Sequence, residues 1–174
     1  MSWLGKVVGG TLGFSVAGPL GAVIGGVIGN QFDKSRSSDP AQQMNSQEEK
    51  QMVFFVSTFS MLAKIAGADG KFLSSEKKVI ENFMDKSLRL DKESKEFAID
   101  IFNKAGSKDT SFEEYAAQFY SYFKNERDIL VEMIDIMLNL AASDDEYHSR
   151  EEKFIKKACS IFNISEQQYD NLKA

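Results

Sequence analysis

The hydrophobic pattern divides the chain into two parts. From Val7 to Phe32, 26 consecutive residues carry no charge, which exceeds the roughly 20 apolar residues that a helix needs to cross a bilayer. After about Glu48 the apolar residues instead recur at the spacing of amphipathic helices. The pattern predicts three regions: a membrane-associated segment over residues 1–33, a polar linker over 34–47 and a helical domain over 48–174.

Glycines recur every four residues within the uncharged run, at Gly5, Gly9 and Gly13 and again at Gly21, Gly25 and Gly29. On a helix each set forms a face without side chains, which another helix can approach closely inside a membrane. In water each glycine costs a helix roughly 1 kcal/mol relative to alanine. The repeat therefore predicts a glycine zipper that associates with a membrane and forms a homo-oligomer. A glycine-rich element that packs on itself or on a soluble partner is the alternative.

Pro19 interrupts this run, because it lacks a backbone N–H and collides with the preceding helical turn. Either the segment is one kinked span, or it is a hairpin whose second helix Pro19 opens. Lys34 and Arg36 follow the run, whereas Lys6 is the only charge before it. The positive-inside rule then favours a cytoplasmic location for everything after residue 33.

The rest of the chain carries six apolar stripes at helical spacing and offers no credible strand. The stripes fall within residues 55–66, 79–84, 97–105, 112–123, 130–141 and 154–162, and a short last helix follows Ile164. Helix-capping residues precede several of them, including Asp91, Ser111 and Ser165. We therefore expect an all-α bundle of about seven helices.

Two segments of this domain resemble each other at a distance of 75 positions, residues 65–80 and 140–155. Each contains an Asp, an aromatic residue three positions later, a Ser five positions later and a Glu seven positions later. The similarity continues beyond them with a slip of one residue, since residues 90–91 correspond to 164–165. The pattern indicates a duplicated helix–loop–helix unit packed about a pseudo-twofold axis.

The Asp-(x)6-Glu pairs of the two units, Asp69 with Glu76 and Asp144 with Glu151, resemble the TerB (tellurite-resistance) family. The order of parts resembles more specifically the amino-terminal region of DjlA-type membrane-anchored DnaJ-like co-chaperones. That resemblance is carried by Trp3-x-Gly5-Lys6, the glycine-rich stretch ending at Asp33, Phe54-Phe55 and the two TerB-like units. It implies a bacterial inner-membrane protein with a cytoplasmic helical domain and partners of the chaperone or stress-response type. Those co-chaperones carry a J domain with a His-Pro-Asp triplet, which this sequence lacks, so stimulation of Hsp70 is not implied.

The same four carboxylates form the strongest candidate for a chemical site. If the two units pack about a twofold axis, their loops bring Asp69, Glu76, Asp144 and Glu151 together, and hard oxygen ligands of this kind suit Ca²⁺ or Mg²⁺. The TerB resemblance implies a metal site at these positions. The alternative is structural, because carboxylates in first helical turns are stabilised by the helix dipole.

Composition narrows the function further. The net charge of −5 argues against nucleic acid as a partner. One cysteine (Cys159) and one histidine (His148) exclude an internal disulfide, argue against a zinc site and leave no visible nucleophile–base pair. Cys159 is expected in the core and His148 in an exposed turn. The sequence thus favours a membrane-anchored, non-enzymatic TerB-like interaction module with a role in stress or metal and tellurite response. The alternative is a soluble helical protein that binds a divalent metal.

Overall fold

The structure, a computed structural model, describes residues 16–32, 45–66, 78, 80–143 and 149–174. Within these ranges it consists of helices joined by turns, and the predicted all-α fold is confirmed. In chain order the elements are α1 (Gly18–Phe32), α2 (Ser46–Ala66), a π-helical segment (Phe83–Ser87), α3 (Lys92–Ser107), α4 (Phe112–Phe123), α5 (Arg127–Ser143), α6 (Ser149–Ile161) and α7 (Glu166–Lys173).

Three helices begin at the predicted capping residues. The Asp91 side chain accepts a hydrogen bond of 2.8 Å from the backbone N–H three residues later, where α3 starts. Ser111 with Glu114 and Ser165 with Gln168 form capping boxes at the starts of α4 and α7. Each box satisfies backbone donors that the first helical turn cannot pair internally. The positions at which these three helices start are thus determined by local sequence.

Helix α2 forms the centre of the bundle. It is buried along most of its length, and α1, α3 and α4 all pack against it. At its crossing with α3, a Cβ added to Gly106 would lie 3.7 Å from the Cβ of Ala63, so the two helices approach closely through small residues. The second half of the domain joins this centre through α4, which also contacts α5 and α6.

The aromatic stripe of α4 lies inside the bundle, as predicted. Phe119 is fully buried, and its ring centroid lies 4.9 Å from that of Phe123 and 5.3 Å from that of Phe162. The Phe54 ring of α2 completes the cluster at 5.9 Å in an edge-to-face arrangement. Edge-to-face and tilted aromatic pairs are favoured because the positive ring edge meets the negative face of its neighbour. This cluster connects α2 and α4 to Phe162, the residue that directly follows α6.

The internal duplication is visible in the turns that close the two units. Arg89 and Asn163 are the two non-glycine residues with positive φ in the described ranges, at 49° and 57°. Each stands two residues before a capping residue, Asp91 in the first unit and Ser165 in the second. The two units therefore end in the same backbone turn, at the positions that the sequence similarity pairs.

The one-residue slip between the units has a structural counterpart in the first of them. Leu90 N donates to the carbonyl O of Met84, six residues back, whereas Ile164 N donates to that of Cys159, five residues back. The extra residue is accommodated in the π-helical segment Phe83–Ser87. A π-helical turn is the usual form of a single-residue insertion in a helix. The slip thus lengthens one helix of the pair without changing its closing turn.

Candidate interaction site at the N-terminal helix

The most informative feature for function is the position of α1. Its apolar side chains Leu20, Val23, Ile24 and Val27 have exposed fractions of 0–2% and belong to the core. Their spacing of three and four residues places them on one face, which packs across α2, α3 and α4. We call the surface of these three helices beneath α1 the α1 groove. Residues 18–32, which the sequence assigns to the membrane-associated segment, thus pack on the helical domain.

Gln118 of α4 fastens the first turn of α1. Leu20 N donates a hydrogen bond of 2.7 Å to Gln118 Oε1, and Gln118 Nε2 donates to the carbonyl O of Ala17. The first turn of a helix carries N–H groups without intrahelical partners, so an acceptor supplied by another helix fixes that end. One side-chain amide therefore binds both a donor and an acceptor where α1 begins.

Two residues at this point shape the chain for that contact. Gly18 has a φ of +73°, a conformation that glycine adopts without strain. A Cβ at Gly18 would lie 3.1 Å from Gln118 Nε2, so a side chain would also crowd the amide. Pro19 lies in the first turn of α1, where its missing N–H removes no intrahelical hydrogen bond. The segment before residue 16, including Gly5, Gly9 and Gly13, lies outside the described residues.

The glycines of α1 do not share one environment. Gly25 and Gly29 are exposed, and a Cβ at either would have no neighbour within 4 Å. Gly21 is buried, and a Cβ there would lie 2.2 Å from the backbone carbonyl O of Val16. The outward face of α1, formed by Ala22, Gly25 and Gly29, therefore has no side chain larger than a methyl group. Gly21 instead allows the chain to fold back at the start of the helix.

Gly26 makes room for a side chain from the domain. The stem of Lys104 on α3 lies across it, because a Cβ at Gly26 would come within 2.3 Å of Lys104 Cε. This contact lies near the middle of α1 and adds a second point at which the domain contacts the helix. Among the helices of the described ranges, none combines the length and the apolar character needed to span a lipid bilayer.

Polar contacts hold α4, and with it Gln118, in place. Tyr122 OH donates a hydrogen bond of 2.8 Å to Glu49 Oε1 of α2. Burial raises the pKa of Tyr122, and the hydrogen bond to this carboxylate raises it further. The phenol therefore keeps its proton and remains a donor. On the other side Lys157 Nζ of α6 lies 2.7 Å from Glu113 Oε1 and lowers the pKa of that carboxyl group. The helix that carries the Gln118 amide is thus fixed on two flanks.

The four predicted metal ligands are described only in part. Asp69, Glu76 and Asp144 lie outside the described residues, whereas Glu151 occupies the first turn of α6 and is half-buried. Within the described ranges, no group of three or more His, Cys, Asp and Glu side chains is close enough to bind a metal ion. The quartet stays a prediction.

Metal binding by these carboxylates has a direct thermal test on the full chain. If they converge, a saturating divalent cation should stabilise the native state by about 2.7 kcal/mol at a hundredfold excess over Kd. That raises the melting temperature by roughly 5–10 °C for a chain of this size. The rise should disappear in Asp69→Asn with Asp144→Asn and persist when two exposed acidic residues, Asp109 and Asp170, are changed instead. Equal melting in Ca²⁺, Mg²⁺, Mn²⁺ and EDTA would contradict the site.

The other two candidates from the sequence differ in outcome. Cys159 is buried, and burial raises the pKa of its thiol to about 11, so it remains protonated at neutral pH. The prediction of a core cysteine is confirmed. His148 lies outside the described residues. Gln118 is a functional candidate that was not predicted, and its only signal in the sequence is an uncharged amide within the aromatic stripe of α4.

Comparison with known proteins identifies two matching families and several relatives. Residues 55–174 match the family described as tellurite resistance protein TerB, and residues 1–39 match the co-chaperone DjlA transmembrane domain. The chain is 30% identical over 148 residues to the co-chaperone protein DjlA of Legionella pneumophila, covering 82% of this chain and 50% of that protein. It is 27% identical over 171 residues to the Escherichia coli K12 protein of the same name, covering 98% and 62%.

The Salmonella typhimurium protein of that name is 26% identical over 171 residues, covering 98% of this chain and 63% of the relative. The chain thus spans between about half and just under two thirds of these curated relatives. No solved structure matches it. The two family matches follow each other in the order expected for the amino-terminal part of a DjlA-type protein. Since the TerB match covers well over half of the sequence, the chain belongs to the TerB family.

Proposed function

We propose that this chain is a membrane-associated, non-enzymatic interaction module that presents a TerB domain at the cytoplasmic face of a bacterial inner membrane. The observation that carries the proposal is the match of residues 1–39 to the DjlA transmembrane domain, which precedes the TerB match over residues 55–174. The 26-residue uncharged run from Val7 to Phe32 lies within that match. The cytoplasmic orientation is supported by Lys34 and Arg36 behind the run.

The proposed partners are proteins of the chaperone or stress-response type. The relatives are named co-chaperones, and they match this chain over nearly its whole length. The helical domain is acidic, and the whole chain has a net charge of −5. Its sequence offers helix surfaces for a protein partner and no recognisable catalytic group. A role in metal or tellurite response, suggested by the family description, would act through the four carboxylates that the sequence predicts as metal ligands.

Flotation tests the membrane association. After an alkaline carbonate wash, the full chain should float with bacterial membranes in a sucrose gradient, while a chain that begins at residue 34 should stay in the bottom fractions. Flotation is preferable to sedimentation, because removing α1 uncovers the apolar α1 groove and an aggregate would also sediment. In spheroplasts, external protease should leave the helical domain intact. Full-length protein that stays at the bottom of the gradient would contradict the proposal.

We further propose that the outward glycines mediate self-association once the chain is on a membrane. Faces without side chains allow helices to approach closely in lipid, where association depends on dispersion contacts. Gly25→Leu should therefore reduce the crosslinked dimer in vesicles by severalfold. Because Gly25 is exposed and a Cβ there would have no neighbour within 4 Å, the new side chain projects away from the domain, and we expect α1 to stay packed on it.

The matched control for this experiment is Ala22→Ser, a small replacement on the same outward face. It preserves close approach of the helices and should leave crosslinking near the level of the parent chain. Gly21 is unsuitable for the test, since a side chain there collides with the backbone at Val16. Equal crosslinking of the Gly25→Leu variant and the parent chain would exclude this face as the interface.

A further inference from the structure

We propose that α1 exchanges between two exclusive positions, the α1 groove and the membrane, and that Gln118 is the latch that holds it in the groove. The proposal rests on the membrane association proposed above. It goes beyond that function because it makes membrane association an equilibrium that the domain itself controls. The relevant states are a docked form, described here, and an inserted form in which α1 has left α2, α3 and α4.

The two positions exclude each other because they use the same side chains. The α1 side chains of Leu20, Val23 and Ile24 are fully buried between α1 and the domain. The same side chains would enter the hydrocarbon of a bilayer. The opposite face carries Ala22, Gly25 and Gly29, which bury too little apolar area to hold the helix in lipid. Insertion therefore requires α1 to leave the groove.

The docked form accounts for a glycine-rich apolar helix that faces water. With Leu20, Val23, Ile24 and Val27 turned inward, the exposed residues of α1 between 18 and 29 are Gly18, Ala22, Gly25 and Gly29, while Ile28 is half-buried. Over residues 18–29 the helix therefore places small residues toward water, although the sequence of this stretch carries no polar side chain. One face of α1 thus packs on the domain, and the opposite face, with Ala22, Gly25 and Gly29, is suited to close packing against another helix.

Gln118 is suited to be the latch because its bonds belong only to the docked position. Its amide accepts from Leu20 N and donates to the carbonyl O of Ala17, on either side of the left-handed Gly18. When α1 leaves, these two backbone groups lose their partner on α4. The Gln118 side chain is half-buried, so its amide can then bond to water. Replacing Gln118 should therefore weaken the docking of α1 without affecting the folding of α4.

A reversible crosslink tests the exchange in the full chain. Gly26→Cys and Lys104→Cys place two thiols where the Lys104 stem lies across α1, and a bismaleimide with a reducible spacer joins them. Cys159 is buried and its thiol remains protonated, so the new thiols react first. The control lock joins Lys173→Cys to Glu152→Cys, between α7 and α6, and leaves α1 and α4 free.

Flotation with vesicles of phosphatidylethanolamine and phosphatidylglycerol is the readout. The chain locked through α1 should stay at the bottom of the gradient and should float again after the spacer is reduced, while the control lock should float before and after reduction. Equal flotation of the α1-locked and reduced chains would overturn the exchange. If no form floats, the membrane association itself fails, and the exchange fails with it.

The latch has its own test in the unlocked chain. The apparent vesicle Kd equals the intrinsic Kd divided by the undocked fraction, so weakening the docked form lowers it. Gln118→Ala removes two hydrogen bonds and should lower the apparent Kd by roughly fivefold to thirtyfold. The control Gln167→Ala changes an exposed glutamine of α7 and should leave the Kd unchanged. An unchanged Kd in Gln118→Ala would exclude the latch.

Discussion

Replacing Phe119 with alanine should lower the free energy of unfolding by about 3–5 kcal/mol, the typical cost of truncating a buried aromatic side chain. Phe119 is fully buried, and its ring lies 4.9–5.9 Å from the rings of Phe54, Phe123 and Phe162. The substitution leaves a cavity where α2, α4 and α6 meet. For a chain of this size, the melting temperature should fall by roughly 6–20 °C. Urea unfolding followed by far-ultraviolet circular dichroism measures the loss.

The control for this prediction keeps apolar volume at the same position. Phe119→Leu retains most of the buried carbon atoms, so its cost should be about 1–2 kcal/mol. The difference between the two variants reports the cavity and the lost ring contacts and not a general intolerance of the site. Equal losses in both variants, or a loss below 1 kcal/mol in Phe119→Ala, would show that the cluster does not connect the two halves of the domain.

The helices of the domain were predictable because their determinants are local. A stripe such as Phe112, Phe119 and Phe123 fixes which face of α4 must be covered, whatever covers it. Capping residues such as Ser111 and Ser165 fix where helices begin, because they satisfy backbone donors within the same turn. Neither inference needs knowledge of the tertiary partner, and both are confirmed.

The duplication was predictable from the sequence, including the fact that the two units differ in length by one residue. The slip between residues 90–91 and 164–165 indicated one additional residue in the first unit. The sequence does not tell in which turn that residue is accommodated, because any turn of the helix could widen. The structure places it at Phe83–Ser87, which Leu88 separates from the left-handed Arg89.

The environment of α1 was not predictable, because an apolar helical face does not specify its apolar surroundings. Leu20, Ile24 and Val27 would be buried equally well by lipid, by a second copy or by the domain. The glycine period is also ambiguous, since Gly21 serves the backbone turn at Val16 while Gly25 faces outward. The role of Gln118 was not predictable for a related reason. Its partners are backbone atoms about a hundred residues away, and backbone atoms leave no trace in a sequence.

Truncating Ile24 to alanine should cost about 2–5 kcal/mol in the free energy of unfolding of the full chain, if α1 is docked in its groove. Ile24 is fully buried, and its side chain belongs to the core that α1 shares with α2, α3 and α4. Urea unfolding in the absence of lipid and detergent measures the change. The loss cannot exceed the free energy with which α1 docks, because a weakly held helix leaves the groove before the domain unfolds. The measured value is therefore also a lower bound on the docking free energy.

Ile28→Ala is the matched control, since it makes the same truncation one turn later on the same helix. Ile28 is only partly buried against the core, so its truncation should cost clearly less than that of Ile24. A helix detached from the domain would give a different result, with neither truncation changing the unfolding of the helical domain. Unequal losses, larger at Ile24 than at Ile28, follow only if the domain covers one face of α1. In lipid vesicles the exchange predicts that the inequality shrinks, because α1 has then left the domain and both isoleucines contact hydrocarbon.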